Sequence, residues 1–214
     1  MDKRLMNNQV EITGEIITNF THSHDVWGEG FYKATIRTLR SSGESDQMPI
    51  MVSERLMDVT ADWRGSRIRA KGQLRSFNNW IGGKSRLELS VFVLEVEEVG
   101  GQEANLAKDP NLIKLDGFLC KKPVYRETPL GREITDLLLA VNRPFGKTDY
   151  IPCICWGRNA KYAAGFKVGD HCVLEGRIQS RTYTKVLEGG ITEDRIAYEV
   201  SASLVWIWLP GEED

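Results

Sequence analysis

Apolar and polar residues alternate along most of this chain, in short runs bounded by Gly, Asn, Asp and Ser, the period-two pattern of β-strands. One such run, Val10-Glu11-Ile12-Thr13-Gly14-Glu15-Ile16, recurs as Ile113-Lys114-Leu115-Asp116-Gly117-Phe118-Leu119, with its glycine in the same place and an offset of 103. Asp46-Gln47-Met48-Pro49-Ile50-Met51-Val52 recurs at that offset as Asp149-Tyr150-Ile151-Pro152-Cys153-Ile154-Cys155. Gly65 to Leu74 then returns as Gly169 to Ile178 at offset 104, and Leu87 to Val91 is matched with Tyr198 to Ala202 at offset 111. The chain is therefore an internal duplication, and the last offset places an insertion of about seven residues between the final two strands of the second copy. Only one segment per copy has a helical pattern: Ser53 to Ala61 in the first and Arg158 to Phe166 in the second. Three strands, a short helix and two strands is the order of an OB barrel. A sandwich would need more strands and no central helix. The expected fold is all-β: two tandem five-stranded OB-fold barrels, each with one short helix between strands 3 and 4.

The polar stretch from Gly100 to Pro110 has the glycines and proline of a linker and no sustained periodicity. It divides the chain into a first domain over 1–100, a linker over 101–110, a second domain over 111–209 and a short acidic tail over 210–214. At 214 residues, 41% hydrophobic and a net charge of -2, the composition is that of an ordinary soluble protein and excludes disorder, collagen and coiled coil. No signal-length apolar run opens the sequence and no window is long and apolar enough to span a bilayer, so a cytoplasmic protein without membrane contact is expected. The four cysteines, Cys120, Cys153, Cys155 and Cys172, sit in apolar runs and read as small core residues. A single Cys-x-Cys pair lacks the second knuckle of a structural zinc site, and His22 and His24 beside Asp25 read as a solvated loop. No cofactor and no metal are expected.

Chemistry enters with the fourth strands. In the first copy one face of that strand carries Arg67, Arg69, Lys71, Gln73 and Arg75, and in the second it carries Arg177, Gln179, Arg181 and Tyr183. A cationic stripe by itself also serves to solvate a strand and discourage edge pairing. Here aromatics accompany it: Tyr150, Trp156 and Tyr183 in the second copy with Phe145 in a preceding loop, and Trp27, Phe31, Tyr32, Phe77 and Trp80 in the first. Rings that stack bases and cations that follow phosphates are what single-stranded nucleic acid requires. The loops from Asn78 to Arg86 and from Thr184 to Arg195, each containing a Gly-Gly pair, lie where OB folds commonly contact oligonucleotides.

From Asn111 to about Ser203 the chain resembles the bacterial single-stranded DNA-binding protein family, on the strength of Leu112 to Leu119, Pro123 to Arg132, Ile134 to Val141, Asp149 to Arg158 and Gly169 to Ile178. The resemblance implies single-stranded DNA as the ligand, bound with little sequence preference in replication, recombination or repair. It implies stacking roles for Tyr150, Trp156 and Tyr183, with Phe145 near another family aromatic. Arg158, Arg177 and Arg181 are the accompanying cations. In the first copy Gln47, Ser53 and Asn79 replace the three stacking residues, so its candidates come from the residue pattern alone: Arg67, Arg69, Lys71, Arg75, Phe77 and Trp80. The family usually gathers four OB domains, which implies a homodimer of this two-domain chain. Common members recruit replication and repair proteins through a long acidic tail with an apolar tip. Here Val205 to Leu209 leads only to Pro210-Gly211-Glu212-Glu213-Asp214, and recruitment by that route is not expected. Trp206 and Trp208 share a strand face with Leu204 and read as packing or interface residues. The competing class is a replication-restart or mobile-element module that holds proteins and touches DNA weakly. A nuclease would need convergent carboxylates, whereas the acidic residues here are scattered, so no enzyme is expected.

Overall fold

The computed structural model describes residues 6–81, 84–100, 109–186 and 190–208. In the first half the strands are β1 (Asn8–Ile16), β2 (Thr21–Val26), β3 (Glu29–Leu39), β4 (Ser45–Ser53), β5 (Arg67–Ile81) and β6 (Lys84–Glu98). The second half has β7 (Asn111–Leu119), β8 (Val124–Glu127), β9 (Glu133–Asn142), β10 (Thr148–Trp156), helix α1 (Arg158–Ala163), β11 (His171–Val186) and β12 (Thr192–Ile207). In the first half β1 pairs with both β3 and β5, β3 with β4, β5 with β6, and β4 runs parallel to β6 through Ile50 and Val91. That circuit closes a five-stranded OB barrel. The second half repeats it, with β10 parallel to β12 through Cys153 and Val200.

Closure forces backbones together at the glycines that repeat. A Cβ on Gly14 would lie 2.3 Å from the Arg37 carbonyl oxygen, and one on Gly117 2.7 Å from that of Ala140. Bulges follow Lys71 and Glu175, where a Cβ on Gly72 or Gly176 would come within 2.0 Å or 2.2 Å of a carbonyl oxygen on the facing strand. The inward columns fill each barrel with aliphatics, Ile12, Ile36, Ile50, Leu74 and Val91 in one and Leu115, Leu139, Ile151, Leu174 and Val200 in the other. Cys153, Cys155 and Cys172 belong to that interior.

Three expectations need correction. The helix forms only in the second half; in the first, Glu54 to Thr60 is a series of turns. There the Ser53 hydroxyl accepts from the Arg55 amide and Asp58 accepts from the Thr60 amide and hydroxyl, local bonds that compete with a helical ladder. His22, His24 and Asp25 lie on β2, which with β8 in the other half extends a hairpin arm from each barrel, beyond the expected five strands. The final strands align at offset 109, since Leu89 faces Ser76 as Tyr198 faces Ser180, so the second copy gained five residues there. The error of two kept every side chain on its proper face. The linker residues 101–108 and the acidic tail 210–214 lie outside the described residues.

The two barrels share one twelve-stranded sheet because β1 pairs antiparallel with β7. Val10 faces Ile113, its own counterpart in the repeat, so an approximate twofold axis passes through that pair. Two buried aspartates lie across the junction in matching fashion. Asp46 on β4 accepts from the Ser180 amide at 2.7 Å and from Arg177 at 3.0 Å, both on β11, and from Arg40 at 2.6 Å. Asp149 on β10 accepts from the Ser76 amide on β5 at 2.7 Å and is paired with Arg143 at 3.0 Å. The serine hydroxyls complete the exchange, Ser180 accepting from the Gln47 amide and Ser76 from the Tyr150 amide.

Candidate nucleic-acid interface

On β10 every second residue points outward, which puts Tyr150 and Trp156 on one face about 20 Å apart along the strand. Both are partly exposed, and the Trp156 indole donates to the Ser201 hydroxyl at 3.2 Å. Arg177 faces Ser201 across β11 and β12, and the same column continues through Gln179 and Arg181 to Tyr183, which faces Arg195. The structure thus gathers Tyr150, Trp156, Arg181 and Tyr183 on one outer face of the second barrel. The Arg181 guanidinium lies 5.9 Å from the Tyr183 ring centre. Arg158 is exposed at the start of α1. Phe145 is 97% exposed at the β9–β10 turn with φ of 63°, a left-handed conformation that few residues other than Gly adopt.

Several predicted cations are engaged by carboxylates. Arg67 pairs with buried Asp109, Arg69 with Glu97 at 2.7 Å and Glu11 at 3.8 Å, and Arg177 with Asp46 at the junction. Arg75 packs its guanidinium carbon 3.5 Å from the Phe92 ring centre and bonds Gln73. Burial, aided by Arg143 and opposed by Asp149, pulls the Arg75 pKa down to about 10, which leaves it charged at neutral pH. Burial lowers Arg177 as well, with Arg40 adding to the effect and Asp46 opposing it. Lys71 is exposed. Phe77 is exposed on β5 with the Lys33 ammonium 5.0 Å from its ring centre, and the side chain of Trp80 lies outside the described residues.

Between the β5–β6 and β11–β12 hairpins lies an open cleft of about 1080 Å³. Lys33, Phe77 and Arg86 line it from the first half, and Tyr183, Lys185 and Arg195 from the second. Arg195 is held by Glu193, whose hydrogen bond raises the guanidinium pKa further. Lys33 was not among the sequence candidates, although it sits two residues from Phe31 on the same strand face.

Fold and site together define a tandem OB-fold protein with aromatic and cationic side chains on its outer faces. Residues 110–206, most of the second half of the chain, match the model of the single-strand binding protein family. Similar curated proteins include single-stranded DNA-binding protein 3 of Listeria innocua, 39% identical over an alignment of 80 residues that covers 34% of this chain and 50% of that one. Single-stranded DNA-binding protein A of Bacillus subtilis is 39% identical over 80 residues, 34% of this chain and 46% of that protein. The chain thus spans about half the length of the curated relatives it matches. Among solved structures, the wild-type single-stranded DNA binding protein from Thermus aquaticus superimposes with a TM-score of 0.70 at 20% identity, covering 97% of this chain and 95% of that one. A deletion variant of that protein gives 0.69 at 21% identity, over 96% and 98%. These two likenesses extend the shared fold to both barrels.

Proposed function

We propose that this chain binds single-stranded DNA with little sequence preference and acts in DNA replication, recombination or repair. The observation that carries this is the outer face of the second barrel, where Tyr150, Trp156 and Tyr183 present rings to solvent beside Arg181. Rings stack on any base and a guanidinium follows the phosphates, so the binding these groups support is by stacking and charge. The names of the matched relatives agree. Oligo-dT titration followed by tryptophan fluorescence at several salt concentrations tests it. Quenching reports stacking, and the log–log slope of affinity against salt should be about -0.7 per phosphate neutralised. A flat slope, or equal affinity for duplex, would overturn the reading.

We further infer a homodimer in the cytoplasm. The back of the second barrel exposes Phe118 and Trp208 on either side of His171, and Leu204 further along β12, whereas the positions of the first that match Phe118, His171 and Leu204 carry Glu15, Arg67 and Glu95. An apolar patch on one barrel suits isologous contact with a second copy. Light scattering at micromolar concentration should give twice the chain mass; a single-chain mass would refute the dimer.

A further inference from the structure

Trp27 is fully exposed at the tip of the β2–β3 hairpin, where Val26 pairs with Glu29 across a two-residue turn. Its φ is 49° and that of Gly28 is 78°, the left-handed pair of a type I′ turn, whose first central place usually goes to Asn, Asp or Gly. A tryptophan there costs backbone strain, and its ring returns no buried surface to the fold. The indole is an apolar knob held out at one edge of the twelve-stranded sheet, with Val26 exposed beside it.

The opposite end of β3 borders a cavity of about 780 Å³ where the two barrels join. Leu39, Pro110 and Leu112 give it an apolar wall, of which Leu112 is 61% exposed. Arg40 and Arg177 also line it, both held by the buried carboxylate of Asp46, so their guanidinium planes are fixed before anything enters. The counterparts of Leu39, Pro110 and Leu112 in the repeat are Asn142, Asn7 and Gln9, so the apolar wall occurs once per chain. An apolar recess with two preset guanidiniums complements an indole, which packs its ring on aliphatics and takes a cation over its face.

We propose that this cavity receives Trp27 of a second copy of the chain, joining molecules head to tail. β3 is 11 residues long, which sets knob and cavity on the order of 35 Å apart, so the ring cannot enter its own recess. A contact between two different patches is heterologous and builds rows. Around the knob Asp25, Glu29 and Glu54 outnumber Arg55, the sign that two guanidiniums attract; Glu44, which acts on Arg40, offsets one of them. The contact uses neither Tyr150, Trp156 and Tyr183 nor the back of the second barrel, and it stands without the DNA reading. An indole buries only about 150–250 Å², far below a stable interface, so free chains associate weakly and the contact fills where copies are concentrated.

Sedimentation velocity without DNA, at protein concentrations up to about 300 µM, tests the contact. The mass of the full chain should keep rising with concentration and not level at one or two chains. Trp27→Asn suits the type I′ turn, so it should melt no lower than the unaltered chain, and it should associate roughly tenfold more weakly. Leu112→Asp should do the same from the cavity side. The first variant keeps the cavity and the second keeps the knob, so an equimolar mixture should regain the association that neither shows alone. A full chain whose mass levels at one or two chains, or variants as inert mixed as they are apart, would overturn the proposal. Loss with Leu112→Asp but not with Trp27→Asn would give the cavity to another occupant and overturn it equally. Oligo-dT of about 10 nucleotides separates this contact from DNA binding, since Trp27→Asn should change that affinity less than about twofold. A loss there as large as the loss of association would make Trp27 a base-stacking residue instead, and absence of binding by the unaltered chain would overturn the DNA reading while leaving the contact standing.

Discussion

Trp156 shows how a single side chain divides between packing and binding. It ends β10 half-exposed, with its indole nitrogen anchored to Ser201 and the rest of the ring open to solvent. Trp156→Ala is expected to weaken oligo-dT binding by about 1–3 kcal/mol, and Trp156→Phe by less, because phenylalanine retains a stacking surface. Thermal melts of both variants separate binding from folding. The thiols are a second residue-scale case. Burial pushes Cys155 and Cys172 up to about 12 and Cys153 well above its ordinary value, so at pH 8, far below those values, all three remain protonated. A thiol reagent should label the native chain at Cys120 alone and reach all four only after denaturation. Rapid labelling of two or more native thiols would contradict the core placement.

At the scale of elements, the paired bulges deserve a direct trial. Gly176→Ala and Gly72→Ala each push a methyl into the carbonyl of the facing strand, and each is expected to destabilise its barrel by about 3 kcal/mol or more. Gly100→Ala, whose added Cβ meets nothing within 4 Å and whose φ lies outside the left-handed region, should cost far less by denaturant titration. The strands were legible because period two and a repeated glycine survive without knowledge of partners; even the two-residue misalignment of β12 preserved its faces. The absence of a helix in the first half was not, since Ser53, Asp58 and Thr60 prefer local bonds that a periodicity match ignores. The site was legible in part. Tyr183 could be placed on an outer face by alternation, and Tyr150 and Trp156 followed from the family resemblance. The fate of Arg67, Arg69 and Arg177 could not, because Asp109, Glu97 and Asp46 approach them from distant segments of the chain.

For the whole molecule, the junction decides whether two barrels behave as one body. Asp149 is fully buried, and Asp149→Ala would leave Arg143 without its counter-ion and the Ser76 amide without its acceptor. A loss of about 3 kcal/mol is expected from denaturant unfolding, with the single cooperative transition of the unaltered chain splitting into two when Asp46→Ala is added. One broad transition in every variant would mean that the aspartates do not couple the barrels. The seam through Val10 and Ile113 has a further consequence. Two separate copies of an ancestral barrel meeting there would form a dimer that dissociates on dilution, whereas duplication in one chain makes the encounter intramolecular, at an effective concentration on the order of millimolar. The junction should therefore be indifferent to protein concentration: scattering profiles of the tandem unit should stay constant down to the nanomolar range, and only a protease cut introduced between residues 101 and 108 would return the contact to mass action.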